Sequence, residues 1–228
     1  MYMVNMKRLL LSLGTLVVIG IGIWLVARTG PSGTLETVQA PVDTHADTNT
    51  VASIQTDTTK EPLQADKTTN YMKATLHTTM GDITIEFNES TPKTVENFTK
   101  LASSGFYDGT KFHRVIEGFM SQGGDPLSKD DSKSALWGTG GPGYSFADEI
   151  TASNKNNVGT ISMANSGPNT NGSQFFINAA SNNFLDGKHT VFGTVVAGMD
   201  VATAINQVQT DGNDRPLVPV AITGITLE

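Results

Sequence analysis

Residues 159–177 read GTISMANSGPNTNGSQFFI and contain two short strand candidates separated by a loop. The strand candidates, 158–163 and 174–178, hold β-branched and aromatic residues. The segment between them holds the Gly, Asn, Ser and Pro residues that are typical of turns. This pattern predicts two strands joined by a Gly-rich connection.

Alternation along the second strand divides its side chains between two faces. Phe175 and Ile177 lie on one face, whereas Gln174, Phe176 and Asn178 lie on the other. An aromatic ring among amides suits the lining of a groove better than the filling of a core, so Phe176 is a candidate binding residue. An exposed Phe176 without a function is the alternative.

The residues on either side of this stretch predict more strands and few helices. Apolar alternation predicts a hairpin that turns at Met80 and Gly81, and Thr91 with Pro92 predicts the start of a helix that ends at Gly105. Further strands are expected at 111–116, 191–196 and 221–227, and a second helix at 199–208. Because strands and helices do not alternate regularly, we expect a mainly β fold, a closed barrel rather than a parallel sheet.

The strand candidate KFHRVI at 111–116 contains a charge that breaks its pattern. In a regular strand, Arg114 shares a face with Phe112 and Ile116. Local breaks of this kind are more frequent at functional sites, so Arg114 is a candidate functional residue. The alternative is an arginine at the barrel rim whose stem packs while its head reaches water.

The first seventy residues differ from the rest in composition. Residues 9–27 carry no charge, and as a helix they nearly span a bilayer core. Lys7 and Arg8 precede this run, so the positive-inside rule places residues 1–8 in the cytoplasm. We expect a single-pass signal anchor in the cell membrane and, at 28–70, a disordered Thr- and Asp-rich linker to a domain on the periplasmic or extracellular side. Cleavage of the segment would instead give a secreted protein.

Charge and residue types in 71–228 exclude several classes of function. This domain carries ten basic and sixteen acidic residues, a net charge of −6, so no nucleic-acid partner is expected. The chain has no Cys, and its four His fall in separate segments, which predicts no metal site. GTGGPG at 138–143 has dinucleotide-loop glycine spacing, but Pro142 interrupts it and no strand–helix unit contains it. No cofactor is therefore expected.

Four segments share their sequence and order with one protein family. They read FHRVIEGFMSQGGDP at 112–126, GTGGPGYSFADE at 138–149, GTISMANSGPNTNGSQFFI at 159–177 and FLDGKHTVFGTVVAGMDV at 184–201. Together they resemble the cyclophilin-type peptidyl-prolyl cis-trans isomerases over residues 71–228. The resemblance implies a closed eight-stranded antiparallel β-barrel capped by two α-helices, and catalysis of rotation about X–Pro bonds.

The resemblance also implies roles for individual residues. Arg114 is implied to be the catalytic arginine. The proline ring is expected to bind among Phe119, Met120, Phe176, Leu185 and His189, with His113 nearby. The backbone of the bound peptide is expected to lie along Gln122, Ala164, Asn165 and Gln174.

Two features depart from the family pattern. Phe184 stands where many eukaryotic members have a Trp, so the indole N–H is missing and we expect cyclosporin to bind weakly. The polar segment 127–137 is longer than in compact members.

Rotation about an X–Pro bond breaks no bond and needs neither nucleophile nor metal. The transition state is a twisted amide, and its nitrogen accepts a hydrogen bond better than the planar form does. The Arg114 guanidinium supplies donors and stays protonated. We therefore expect a monomeric, membrane-tethered isomerase that acts on proline-containing peptides and on exported proteins as they fold. The alternatives are a tethered proline-peptide binding module or chaperone with incidental catalysis, and a cytoplasmic isomerase whose N-terminus is wrongly assigned.

Overall fold

The computed structural model describes residues 71–228, which contain eight β-strands and two α-helices. In chain order they are β1 (Lys73–Thr78), β2 (Gly81–Phe87), α1 (Pro92–Ser103), β3 (Arg114–Ile116), β4 (Met120–Gly123), β5 (Thr160–Met163), β6 (Phe175–Asn178), β7 (Val191–Ala197), α2 (Met199–Asn206) and β8 (Ile222–Leu227). Short 3₁₀ helices lie at Pro126–Lys129, Asp131–Leu136 and Asn183–Leu185. The mainly β prediction is confirmed. The sequence did not predict β4.

Strands β1 and β2 form the predicted hairpin. Ala74 lies opposite Ile85 and Leu76 opposite Ile83, and all four side chains are buried. Gly81 begins β2 with a φ of 127°, a backbone conformation that side chains disfavour. The alternation of apolar residues therefore correctly predicts which side chains of this hairpin face the core.

All neighbouring strands pair antiparallel, in the order β3-β4-β6-β5-β7-β2-β1-β8. The prediction of a closed barrel is wrong, because β3 and β8 are the two edges of this sheet and do not form a ladder with each other. Only an isolated bridge between Lys111 and Ala221 and a few backbone hydrogen bonds cross this seam. The Val115 N–H of β3 donates instead to the Asp214 carbonyl oxygen, at 2.7 Å. The loop that contains Asp214 thus bonds to the edge of β3 that would have to pair with β8 in a closed barrel.

The segment before β3 is not a regular strand, which corrects the prediction for Arg114. Phe112 and Val115 both lie in the core, whereas Arg114 between them is exposed. Strict alternation would put Phe112 and Arg114 on the same face. The Phe112 N–H donates to the Val220 carbonyl oxygen across the seam, and regular pairing with β4 begins only at Arg114.

Helix α1 starts where Thr91 and Pro92 predicted, but a distant residue caps it. Thr91 makes no side-chain cap. The Glu149 carboxylate accepts the backbone N–H groups of Lys93 at 3.1 Å and of Thr94 at 2.7 Å. A carboxylate at this end satisfies free N–H groups and complements the helix dipole.

The core lies between the inner face of the sheet and one face of α1. Phe98 of α1 packs against Tyr107, Phe175 and Phe192, with ring centroids 5.0 to 5.7 Å apart. Phe175 and Ile177 belong to this core, whereas Phe176 on the opposite face of β6 does not. The predicted division of the strand is therefore confirmed.

The predicted signal anchor at 9–27 and linker at 28–70 lie outside the described residues. Within 71–228, no helix is long and apolar enough to cross a membrane.

Candidate active site

A groove of about 440 Å³ crosses the outer face of β3, β4 and β6. Every predicted site residue lines it except Gln174 and Phe184. Trp137, Gly138, Asn213 and Arg215, which the sequence did not identify, line it as well. Residues far apart in the sequence are thus brought together on one face of the sheet.

One end of the groove is an apolar pocket. Phe119, Met120, Phe176 and Leu185 contribute its apolar side chains, and the His189 ring lies edge-on to Phe176 with centroids 5.4 Å apart. His189 Nδ1 donates to the Met163 carbonyl oxygen at 2.9 Å, which fixes the imidazole. A small apolar ring fits among these side chains without a polar partner.

Arg114 stands beside this pocket with a partly exposed guanidinium. Its side chain is 46% exposed, and its Nε donates to the Asp214 carboxylate at 3.3 Å. The Asp214 carbonyl also accepts the Val115 N–H of β3, so one residue orients Arg114 through both its backbone and its side chain. The terminal nitrogens of Arg114 make no hydrogen bond with the described residues. They can therefore donate to a ligand.

Two glutamines connect the strands beneath the groove. Gln122 lies opposite Arg114 in the β3–β4 ladder, and its Nε2 donates to Gln174 Oε1 at 2.9 Å. Gln174 Nε2 donates in turn to the carbonyl oxygens of Gly138 and Gly140, at 3.0 and 2.8 Å. Gln174 thus holds the loop that forms the opposite wall and is not itself part of the lining.

The segment at Ala164 and Asn165 forms another wall. The Ala164 N–H donates to the Gln174 carbonyl oxygen at 2.9 Å. Asn165 Nδ2 donates to the Lys188 carbonyl oxygen at 2.8 Å, and its Oδ1 accepts the Gly167 N–H at 3.3 Å. These bonds tie the wall to the segment that carries His189.

His113 is buried next to Arg114 and is 4% exposed. Neither ring nitrogen has a hydrogen-bond partner among the described residues. Burial lowers the pKa of His113 below its ordinary value of 6.5, although the Asp125 carboxylate opposes this shift. His113 is therefore neutral near pH 7 and adds no second charge beside the guanidinium.

Phe184 lies at the outer end of the pocket. It is 64% exposed and stacks on Phe119 with ring centroids 5.8 Å apart. It extends the apolar surface outward and lies outside the groove lining. Because most of this side chain is exposed, the position can accommodate a larger one.

The residues that the sequence missed come from two loops. Trp137 and Gly138 end the long segment after β4, and Asn213 and Arg215 lie in the loop after α2. The only available signal was the unusual length of 127–137. Nothing in the sequence near Arg215 relates it to Arg114, because Asp214 makes its contact across 100 positions of the chain.

The chain matches known proteins over the described domain. Residues 73–227 match the model of the family described as cyclophilin type peptidyl-prolyl cis-trans isomerase/CLD. Peptidyl-prolyl cis-trans isomerase CYP18-1 of Arabidopsis thaliana is 48% identical over 158 residues, which are 68% of this chain and 96% of that protein. CYP71 of the same plant is 51% identical over 154 residues, 67% of this chain, but the chain spans only 24% of its length.

A solved structure has the same fold. The cyclophilin type peptidyl-prolyl cis-trans isomerase of Cryptosporidium parvum, crystallised in the presence of the dipeptide Ala-Pro, is 34% identical and superposes with a TM-score of 0.63. The match covers 68% of this chain and 98% of that structure. The resemblance found in the four sequence segments thus extends to the whole described fold, and the chain belongs to the cyclophilin-type peptidyl-prolyl cis-trans isomerases.

Proposed function

We propose that Arg114 catalyses rotation about X–Pro bonds by donating a hydrogen bond to the imide nitrogen of the twisted transition state. The observation that carries this proposal is the half-exposed guanidinium next to an apolar pocket. Among the described residues, it is hydrogen-bonded through Nε alone. The bound peptide would place its proline ring among Phe119, Met120 and Phe176. Its X–Pro bond would then lie beside the free terminal nitrogens of Arg114.

Differential binding makes this arrangement catalytic. In the planar imide the nitrogen lone pair is delocalised, and it becomes an acceptor only as rotation proceeds. A donor fixed in advance therefore stabilises the transition state more than the ground state. The pocket contributes differently, because it holds the ring equally well in both states. No covalent intermediate is needed.

Asp214 and Gln122 act as positioning residues in this proposal. Asp214 accepts a hydrogen bond from Nε of Arg114, and the terminal nitrogens have no partner among the described residues. Gln122 lies opposite Arg114 in the sheet and can offer its amide to the peptide backbone. Ala164 and Asn165 line the same groove and provide a further wall along which an extended peptide can lie.

The substrates are proline-containing peptides and folding proteins, and we propose that these are exported proteins. The uncharged run 9–27 and the preceding Lys7 and Arg8 support a membrane-tethered domain outside the cytoplasm. In cell fractionation, we expect the full chain to pellet with membranes and to resist extraction by high salt. A mature protein that starts near residue 28 and remains free would contradict the anchor.

The mechanism is tested by separating binding from the bound isomerisation rate. Exchange NMR on a proline peptide should show that Arg114→Ala slows bound isomerisation by two to three orders of magnitude, with a much smaller change in Kd. Arg114→Lys keeps the charge but changes the donor geometry and should recover a minor part of the rate. Phe176→Ala, the matched pocket variant, should weaken binding at least as much as it slows the bound step. A wild-type bound rate in Arg114→Ala would support the binding-module alternative instead.

A further inference from the structure

The long segment after β4 has a fixed structure that delivers one aromatic side chain to the groove. The buried Asp125 carboxylate accepts the Leu127 N–H at 2.7 Å and also the Gly138 N–H, so it ties both ends of the segment together. Within the segment, Trp137 Nε1 donates to the Asp130 carbonyl oxygen at 3.1 Å. The Trp137 indole is therefore held in place at the groove wall.

Two cations lie over the Trp137 ring. Lys111 Nζ is 5.0 Å and Arg215 Cζ is 5.6 Å from the ring centroid, distances at which a cation is attracted to an aromatic face. Lys111 is already ion-paired with Asp131. Arg215 forms no salt bridge within 71–228, and it is the second guanidinium in the groove lining.

The groove lining contains no acidic side chain, although the domain carries a net charge of −6. Asp214 lies just outside the lining and is engaged by Arg114. Asp211, which also lies near Arg215, accepts the backbone N–H groups of Asn213 and Arg215 through one carboxylate oxygen. The positive charge of Arg215 helps to lower the pKa of this carboxyl, but the two side chains form no salt bridge within 71–228. An anion that enters the groove beside Trp137 would therefore meet the Arg215 guanidinium without displacing a salt bridge.

We propose that Trp137 and Arg215 form a second subsite, next to the proline pocket, that binds an acidic side chain of the substrate. The ligand is an Asp or Glu carboxylate within a few residues of the proline. The indole face positions the guanidinium, whose planar fork matches a carboxylate. This inference rests on the proposed function, because it assigns specificity to the same groove. A preference for apolar residues stacked on Trp137 is the competing outcome.

The test compares matched peptides that differ by one charge. The full chain is assayed for kcat/KM on proline peptides with Glu or Gln at each of the three positions before and after the X–Pro bond. At low salt, we expect Glu to be favoured over Gln about three- to fivefold at one or two of these positions, as for a partly exposed ion pair. Raising the ionic strength should reduce that ratio.

Variants test whether the preference for Glu over Gln peptides comes from Arg215. Arg215→Gln should bring the Glu-to-Gln ratio close to one, and Arg215→Lys should retain part of it. Lys133→Gln removes one positive charge from the same segment, but Lys133 lies outside the groove lining, so the ratio should stay at the wild-type value. Equal turnover of Glu and Gln peptides at all positions overturns the subsite, as does a ratio that survives Arg215→Gln. Absence of turnover on every peptide would instead refute the proposed function.

Discussion

Replacing Asp125 by Asn tests how the groove wall is held. The Asp125 side chain is fully buried, and each of its two oxygens accepts one backbone N–H, from Leu127 and from Gly138. An amide keeps the shape but turns one acceptor into a donor that faces another N–H. The N–H of half-buried Leu127 or of Gly138 then faces the buried amide without an acceptor, at a cost of about 1–3 kcal/mol. Removing a buried charge roughly offsets the loss of charge-assisted bonding, so we expect a net destabilisation of about 2 kcal/mol.

Urea denaturation followed by circular dichroism measures this change. The midpoint should fall while the slope m stays at the wild-type value, since the exposed surface of the unfolded chain is unaltered. Asp108→Asn is the matched control, because this exposed carboxylate makes no hydrogen bond or ion pair in the described part of the chain. A loss below 0.5 kcal/mol for Asp125→Asn, equal to the surface control, would refute the idea that this carboxylate holds the segment.

Three further predictions concern the inhibitor, the helix cap and pH. Phe184→Trp should lower the inhibition constant of cyclosporin about fivefold in a peptide assay, because it adds an N–H donor and apolar area at the groove mouth; equal inhibition of both forms would contradict this. Glu149→Gln should cost about 1–2 kcal/mol in urea denaturation, because α1 loses its charged cap. Burial lowers the pKa of His113, so as the pH falls the unfolded chain binds a proton at this histidine before the folded protein does. Stability therefore falls as the pH drops below 6.5. His113→Phe should flatten the loss of stability between pH 7 and 5, and an unchanged slope would count against the buried neutral histidine.

The elements that could be predicted from the sequence are those in which buried residues recur at a regular spacing. The β1–β2 hairpin and the division of β6 follow from alternation, because each strand has one face in the core. β4 was missed because Met-Ser-Gln-Gly has weak strand propensity and is defined only by pairing with β3 and β6. The prediction of a closed barrel was wrong because Asp214, and not β8, bonds to the edge of β3. Asp214 lies 100 positions from Arg114 in the sequence, so no local pattern indicates this contact.

The site residues were predicted by resemblance more than by pattern. Alternation of side chains along a strand correctly predicted that Phe176 faces the groove. The same reasoning put Arg114 on the wrong face relative to its neighbours, because the chain leaves regular strand geometry before β3. Trp137 and Arg215 fall in loops without periodicity, and their contact joins two segments that are distant in the sequence. Only the folded chain brings such loops together.

The pairing of β1 with β8 determines when this sheet can be completed during synthesis. Ala74 lies opposite Leu227, and the backbones of Lys73 and Glu228 exchange hydrogen bonds. Strand β1 is made about 150 residues before β8, which is roughly 8 to 30 s at ribosomal speed. Until β8 arrives, one edge of β1 has no partner strand. The enzyme must therefore keep its first strand from pairing elsewhere until its last strand has been released.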